Sequence, residues 1–332
     1  MTIRSCVLAG AAATFLLVSF SPAPAAGQAG SWAAPQTANG HPDLQGVWSN
    51  NSVTPLERPE MLGDRETLTA EEMAALQARA SELFSSESGD AAFGDSVFAT
   101  VLAEAETFSS RDTGTGNYNH FWLVERDWDN RTSLVVDPPN GRIPPRTEAA
   151  SARVADRAEA RSRNARGPED RSLGERCVSW GVPRLGAGYN SYYQIFQAAD
   201  HVVVYMEMGG SRIIPLDAGP HIDGKIRQLH GDSRGHWDGE TLVVETTNYS
   251  PTSYFMAATD GLNLVERFTR VSDDVLQYEV TVTDPTTWTE PWSARIPLRQ
   301  SPDPVFEYAC HEGNVGMAGI MSGARALDNA VQ

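Results

Sequence analysis

The sequence predicts a mainly β fold, an antiparallel barrel or sandwich carrying an N-terminal cover of helices and loops. Three observations predict it. Runs such as 201–208 (HVVVYMEM), 264–271 (LVERFTRV) and 275–282 (VLQYEVTV) are β-branched and aromatic, with the period of two expected of strands. Turn residues, among them Gly209-Gly210, Asp238-Gly239 and Asp284-Pro285, separate the runs about every eight to twelve positions, which suits consecutive antiparallel strands better than βαβ units. Ahead of these runs, residues 70–84 carry apolar residues at helical spacing, which supplies the α-containing cover.

In chain order, the first 29 residues read as a secretory signal peptide: Arg4, an apolar run over 7–20, then SPAPAAGQA with small residues at Ala23 and Ala25. The run is too short and too rich in Ala and Gly to be preferred as a membrane span, so the mature protein is expected to be periplasmic or secreted, with no integral membrane segment. Residues 30–175 form the N-terminal segment and 176–326 the antiparallel β domain, expected to pack as one unit. Gly46-Val47-Trp48 is a G-x-W that resembles the opening strand of lipocalin-type barrels, which makes a lipocalin-like barrel one of the expected closures. Thr69 with Glu72 makes a capping box ahead of Met73, Leu76, Ala80 and Leu83 at helical spacing, which predicts a helix over 70–84. Residues 85–122, rich in Ser and Gly at both ends, read as a surface excursion. A short β run over 133–136 enters a Pro-Pro-Asn-Gly turn that brings Asp137 and Arg142 toward the body of the fold. Residues 147–171, alternating Ala with charges, read as a solvated helix.

The remaining predicted strands are 192–198, 212–216, 225–229, 241–249 and 304–309. Hydrophobic residues at 41% and charged residues at 21% are those of a soluble globular chain. A net charge of −17 disfavours nucleic acid and anionic membrane as partners. Of the three cysteines, Cys6 belongs to the leader, and Cys177 with Cys310 reads as a disulfide in an oxidising compartment.

Polar chemistry concentrates between residues 207 and 248. Three His-x-Asp pairs fall there: His221 with Asp223, His230 with Asp232, and His236 with Asp238. On strands each pair would point to one face and offer N and O ligands to a metal, but the surroundings of His230 and His236 read as loop. Acid/base work needs one His with a carboxylate that fixes its tautomer, and His221 after Pro220 is the preferred residue, with Glu207 or Asp232 as partner. Arg227 would stabilise developing negative charge. Tyr189, Asn190, Arg212, Trp237, His311 and Glu312 are the candidate substrate contacts. Ser233 in GDSRG is a weak nucleophile candidate, since residues adjacent in sequence seldom form a triad.

HPDLQGVWSN, NRTSLVVDPPNGRIPP, YNSYYQIFQ, RIIPLD, GDSRG, WDGETLVVETTN, LVERFTR and EYACHEGN together resemble a large, mostly uncharacterised family of secreted bacterial proteins, from His41 to Arg325. The resemblance implies an exported β-rich protein and supplies no activity. Tyr189, Asn190, Glu207, Arg212, His221, Arg227, Asp232, Trp237, His311 and Glu312 match its pattern; His230, His236 and Gly209-Gly210-Ser211 depart from it.

The sequence therefore points to an exported acid/base enzyme, a lyase, isomerase or hydrolase, acting without a cofactor on a small, partly apolar or aromatic molecule. A non-catalytic lipocalin-like carrier and a metal-dependent enzyme on the His-x-Asp pairs are the alternatives.

Overall fold

A computed structural model describes residues 32–85, 92–109, 126–162, 164–188, 191–217, 219–252 and 255–330. The expected leader, and the candidate contacts Tyr189 and Asn190, lie outside the described residues.

The N-terminal segment supplies strand β1 (Gly46–Ser49), helices α1 (Ala70–Leu83) and α2 (Asp95–Leu102), strand β2 (Val135–Asp137) and helix α3 (Glu148–Ser162). At the start of α1, Thr69 Oγ1 accepts from Glu72 N–H at 3.2 Å while Glu72 Oε2 accepts from Thr69 N–H at 2.8 Å, so two of the helix's orphan donors are satisfied reciprocally. Ala80 and Phe84 pack with Val97 and Val101 of α2. The apolar centre of the expected surface excursion is thus a helix, because Val97, Phe98 and Val101 bury one face.

The β part runs β3 (Tyr192–Gln197), β4 (His201–Met206), β5 (Gly210–Pro215), β6 (Asp232–Asp238), β7 (Thr241–Thr247), β8 (Asn263–Arg270), β9 (Val275–Thr283) and β10 (Trp292–Ser301), followed by helix α4 (Gly316–Ala330). The strands form one antiparallel sheet in the order β5-β4-β3-β1-β10-β9-β8-β7-β6, with β2 added to β10. Trp48 of β1 faces Tyr193 of β3 on one side and Gln300 of β10 on the other, so the opening strand from the N-terminal segment is inside the sheet. The sheet curls until its two end strands, β5 and β6, lie side by side, making an antiparallel barrel with one seam. Gly235 permits the closure: a Cβ there would stand 2.8 Å from Ile214 Cγ2 and 2.9 Å from Leu216 Cδ2.

Side chains fill the interior at the described positions. Trp48, Leu242, Leu264, Leu276 and Ile296 are fully buried, each contributing about 1.5–3 kcal/mol by leaving water. Phe268 stacks on Tyr278 with ring centroids 4.9 Å apart.

Several expectations need correction. Residues 225–229 are not a strand: charged Lys225 and Arg227 are exposed, and the bridge the segment forms, Gln228 to Tyr249, lies outside the strands of the sheet. Residues 304–309 have no strand partner; Phe306 is exposed and the segment ends in a turn, Cys310 N–H to Tyr308 O. By contrast, β6 reads as loop in the sequence because two of its three inward positions are Ser233 and Gly235, which leaves Trp237 alone and gives no apolar alternation. In β10, Pro297 hides the pattern, yet it falls between the stretch paired with β2 and the stretch paired with β1, where that side of the strand has no ladder partner. Helix α4 is an addition to the expected elements.

Candidate functional site

The chain leaves the sheet at one end strand, β5, and re-enters at the other, β6, so the described residues between them, 216–217 and 219–231, connect the two strands of the seam. Most of the candidate residues are on this bridge or on the strands it joins.

Within the barrel wall, Arg212 of β5 points inward and meets Glu266 of β8, Nη1 to Oε1 at 2.9 Å. Its Nη2 also donates to Ser233 Oγ and Thr246 Oγ1, each at 3.1 Å, and Tyr278 Oη donates to the same Glu266 carboxylate at 2.8 Å. Burial by itself would lower the Arg212 pKa, but the Glu266 charge overrides it and holds the guanidinium protonated. Burial and the Glu266 charge push the Tyr278 hydroxyl well above the ordinary phenol value, and burial pushes Tyr193 up to about 12. Arg212, expected as a substrate contact, is therefore a structural cation whose partner is Glu266. Glu266 is legible in the sequence, since Leu264, Glu266 and Phe268 alternate onto one face and a Glu between two apolar residues needs a partner.

Outside the wall, His221 Nδ1 donates to Asp232 Oδ2 at 2.8 Å. The same oxygen accepts Ile222 N–H at 3.1 Å, and Asn248 Nδ2 donates to Ile222 O at 2.9 Å, so the bridge is pinned on both sides of the histidine. Arg234 Nε approaches Asp232 at 3.5 Å, and Arg234 Nη1 lies 3.6 Å from Asp217. Asp232 is 10% exposed at its side chain and His221 27% exposed, which puts the pair at a wet boundary.

A cleft of about 570 Å³ runs along the seam, lined by Arg212, Gln228, His230, Asp232 and Ser233. His230 Nε2 is 2.9 Å from Ser179 Oγ. Burial, and then the Arg212 charge, lowers the His230 pKa, so this ring is neutral at physiological pH. Ser233 faces the interior on Arg212 and Thr246, while Asp232 next to it faces the other way on His221, so no Ser-His-Asp triad forms.

The other candidates stand apart. Arg227 Nη1 donates to Asp260 O at 2.9 Å and Nη2 lies 3.6 Å from the Asp260 carboxylate. Glu207 follows the end of β4, its N–H bonded to Tyr192 O; burial raises its pKa and the Arg184 charge offsets part of the rise. Trp237 of β6 stacks on His41, centroids 4.8 Å apart. His311 and Glu312 lie at the surface beside the Cys177–Cys310 disulfide. The His-x-Asp pairs do not act as pairs: His221 takes Asp232, His230 takes Ser179, and Asp238 takes Arg267 at 2.9 Å. Among the described residues no three His, Cys, Asp or Glu side chains converge as a metal site.

No protein-family model matches the chain, and no curated protein matches it. Among solved structures, it is similar to the crystal structure of a mutant of the fluorescent protein UnaG, with 16% identity, 39% of this chain and 86% of that chain covered, and a TM-score of 0.23. Among the described residues no helix is long and apolar enough to cross a membrane.

Proposed function

We propose that the protein is an exported acid/base enzyme in which His221 transfers a proton and Asp232 orients it, acting on a small, partly apolar molecule held at the seam. The observation that carries this reading is the 2.8 Å bond from His221 Nδ1 to Asp232 Oδ2. With Nδ1 acting as donor, Nε2 is the nitrogen with a lone pair for the substrate's proton. Nε2 has no partner among the described residues, and Asp232 is one wall of the adjoining cleft. The disulfide supports an oxidising compartment.

A carrier of lipocalin design would hold its ligand inside the barrel, where Trp48, Phe268, Tyr278 and the Arg212–Glu266 pair already stand. The acid/base reading is preferred for that reason. It is tested by screening turnover against aromatic and terpenoid compounds, then repeating the active assay with His221→Ala. Loss of turnover with an unchanged thermal melt supports the reading. Turnover retained by the variant, or a bound compound recovered intact after long incubation, overturns it.

A further inference from the structure

A second cleft, of about 510 Å³, lies on the other part of the barrel wall, where the N-terminal segment covers β9 and β10. Three arginines line it: Arg58, Arg131 and Arg295. Two are neutralised. Arg131 Nε donates to Asp129 at 2.7 Å, and Arg295 Nε donates to Glu279 at 2.8 Å.

Arg58 is different. It is 4% exposed, its Nε donates only to the neutral Thr132 hydroxyl at 2.9 Å, and it has no ion pair among the described residues. Its Nη1 is buried with no hydrogen-bond partner. A buried guanidinium without an anion is unfavourable by several kcal/mol, whereas the same group facing a carboxylate forms strong charge-assisted bonds.

The local fold keeps this arginine available. Arg58 N–H donates to Gly141 O at 2.8 Å, which docks its loop onto the Pro-Pro-Asn-Gly turn. Glu57 Oε1 accepts Ile143 N–H at 2.9 Å, and Glu60 meets Arg142 at 3.3 Å, so the acids neighbouring Arg58 in sequence are drawn away to the turn. Gly141, at φ +70°, packs directly against this group, and no larger residue fits: a Cβ there would lie 2.9 Å from Arg58 Nη2 and 2.5 Å from Ser133 Oγ.

We propose that this cleft is a binding site for a small monocarboxylate, held by Arg58. Charge selects the class. Two of the cleft's three arginines are already paired, with Asp129 and Glu279, which leaves Arg58, while Glu66 and Asp137 stand exposed at the cleft's edge. One added negative charge completes Arg58, while a polyanion meets repulsion from Glu66 and Asp137. The site is separate from the His221–Asp232 pair, so it stands or falls independently of the enzymatic reading.

The test titrates the full-length processed protein with acetate, benzoate and inorganic phosphate at constant ionic strength, reading calorimetric binding and thermal melt. Saturable binding of acetate or benzoate is expected, weakened at least about tenfold by Arg58→Gln, a loss of about 1.4 kcal/mol. Glu66→Gln, an exposed change, is expected to tighten binding about threefold by removing a like charge. If Arg58→Gln does not fold, the Glu66→Gln titration decides: tighter binding supports the site and unchanged binding overturns it. No saturable carboxylate binding up to roughly 0.1 M, equal binding by folded Arg58→Gln, or phosphate bound more tightly than both carboxylates would also overturn it.

Discussion

Arg212 on β5 and Glu266 on β8 grip each other across the barrel interior, although their strands are not neighbours in the sheet. Their side chains are 4% and 2% exposed. Taking one partner away leaves a buried charge, so Glu266→Gln is expected to cost about 3–5 kcal/mol, measured by urea unfolding. The double change Arg212→Met with Glu266→Leu should recover most of that loss, since neither charge remains to be desolvated. A loss below about 1 kcal/mol for the single change would show that the pair does not hold the seam.

Asp232→Asn keeps the shape of the His221 partner and removes its charge. The amide can turn its NH₂ to Nδ1, which moves the ring proton to Nε2 and blocks the base. Turnover by an active preparation is expected to fall about 10²–10⁴-fold with little change in KM. The steady-state parameters of the variant decide it, and an unchanged kcat would remove Asp232 from the mechanism.

Burial raises the Glu207 pKa, with Arg184 offsetting part of the effect. The folded state therefore keeps this proton to higher pH than the unfolded chain does. Its contribution is fully present below the unfolded value, about 4.3, and is lost as pH rises through the raised folded value. Glu207→Gln abolishes that loss, so the variant's stability relative to wild type should climb from acid toward neutral pH. Partial exposure of the site limits the gain to less than about 1 kcal/mol. Paired urea melts across that pH range measure it, and a flat difference would refute it.

His230 behaves in the opposite sense. Burial and the Arg212 charge lower its pKa, so as pH falls the unfolded chain takes up this proton first, near about 6.5. Stability from this group is intact above that value and declines below it until the folded value is reached, with a slope of at most about 1.4 kcal/mol per pH unit. His230→Gln should flatten this part of the stability profile. The same slope in both proteins would assign the acid sensitivity elsewhere.

The fold is legible in the sequence where interior side chains are large. Strands β4, β8 and β9 place Val, Leu, Phe and Tyr on the inner face and are readable from alternation alone. Strand β6 is not, because Ser233 and Gly235 occupy its inner positions to make room for Arg212 and for Ile214 across the seam. The demand comes from a strand remote in the sheet, and no local pattern encodes it. The site divides in the same way. His221 and Asp232 each stand out in the sequence, and their bond depends on the bridge crossing the seam. Arg58 does not stand out, since a lone arginine in a loop shows its missing partner only when its surroundings are known.

The position of β1 sets a condition on how the molecule is made. Val47 pairs with Ser301, so the ladder joining the first strand to the last spans nearly the whole β part of the chain. During synthesis β3, β4 and β5 can assemble on β1 early, and β6 to β9 can form their own meander later. The two halves have no shared ladder until residues 292–301 arrive. A ribosome adding about 5–20 residues per second needs several seconds or more to pass from one half to the other. Throughout that interval the apolar inner faces lack their cover, which makes truncation before β10 a route to aggregation rather than to a smaller stable domain.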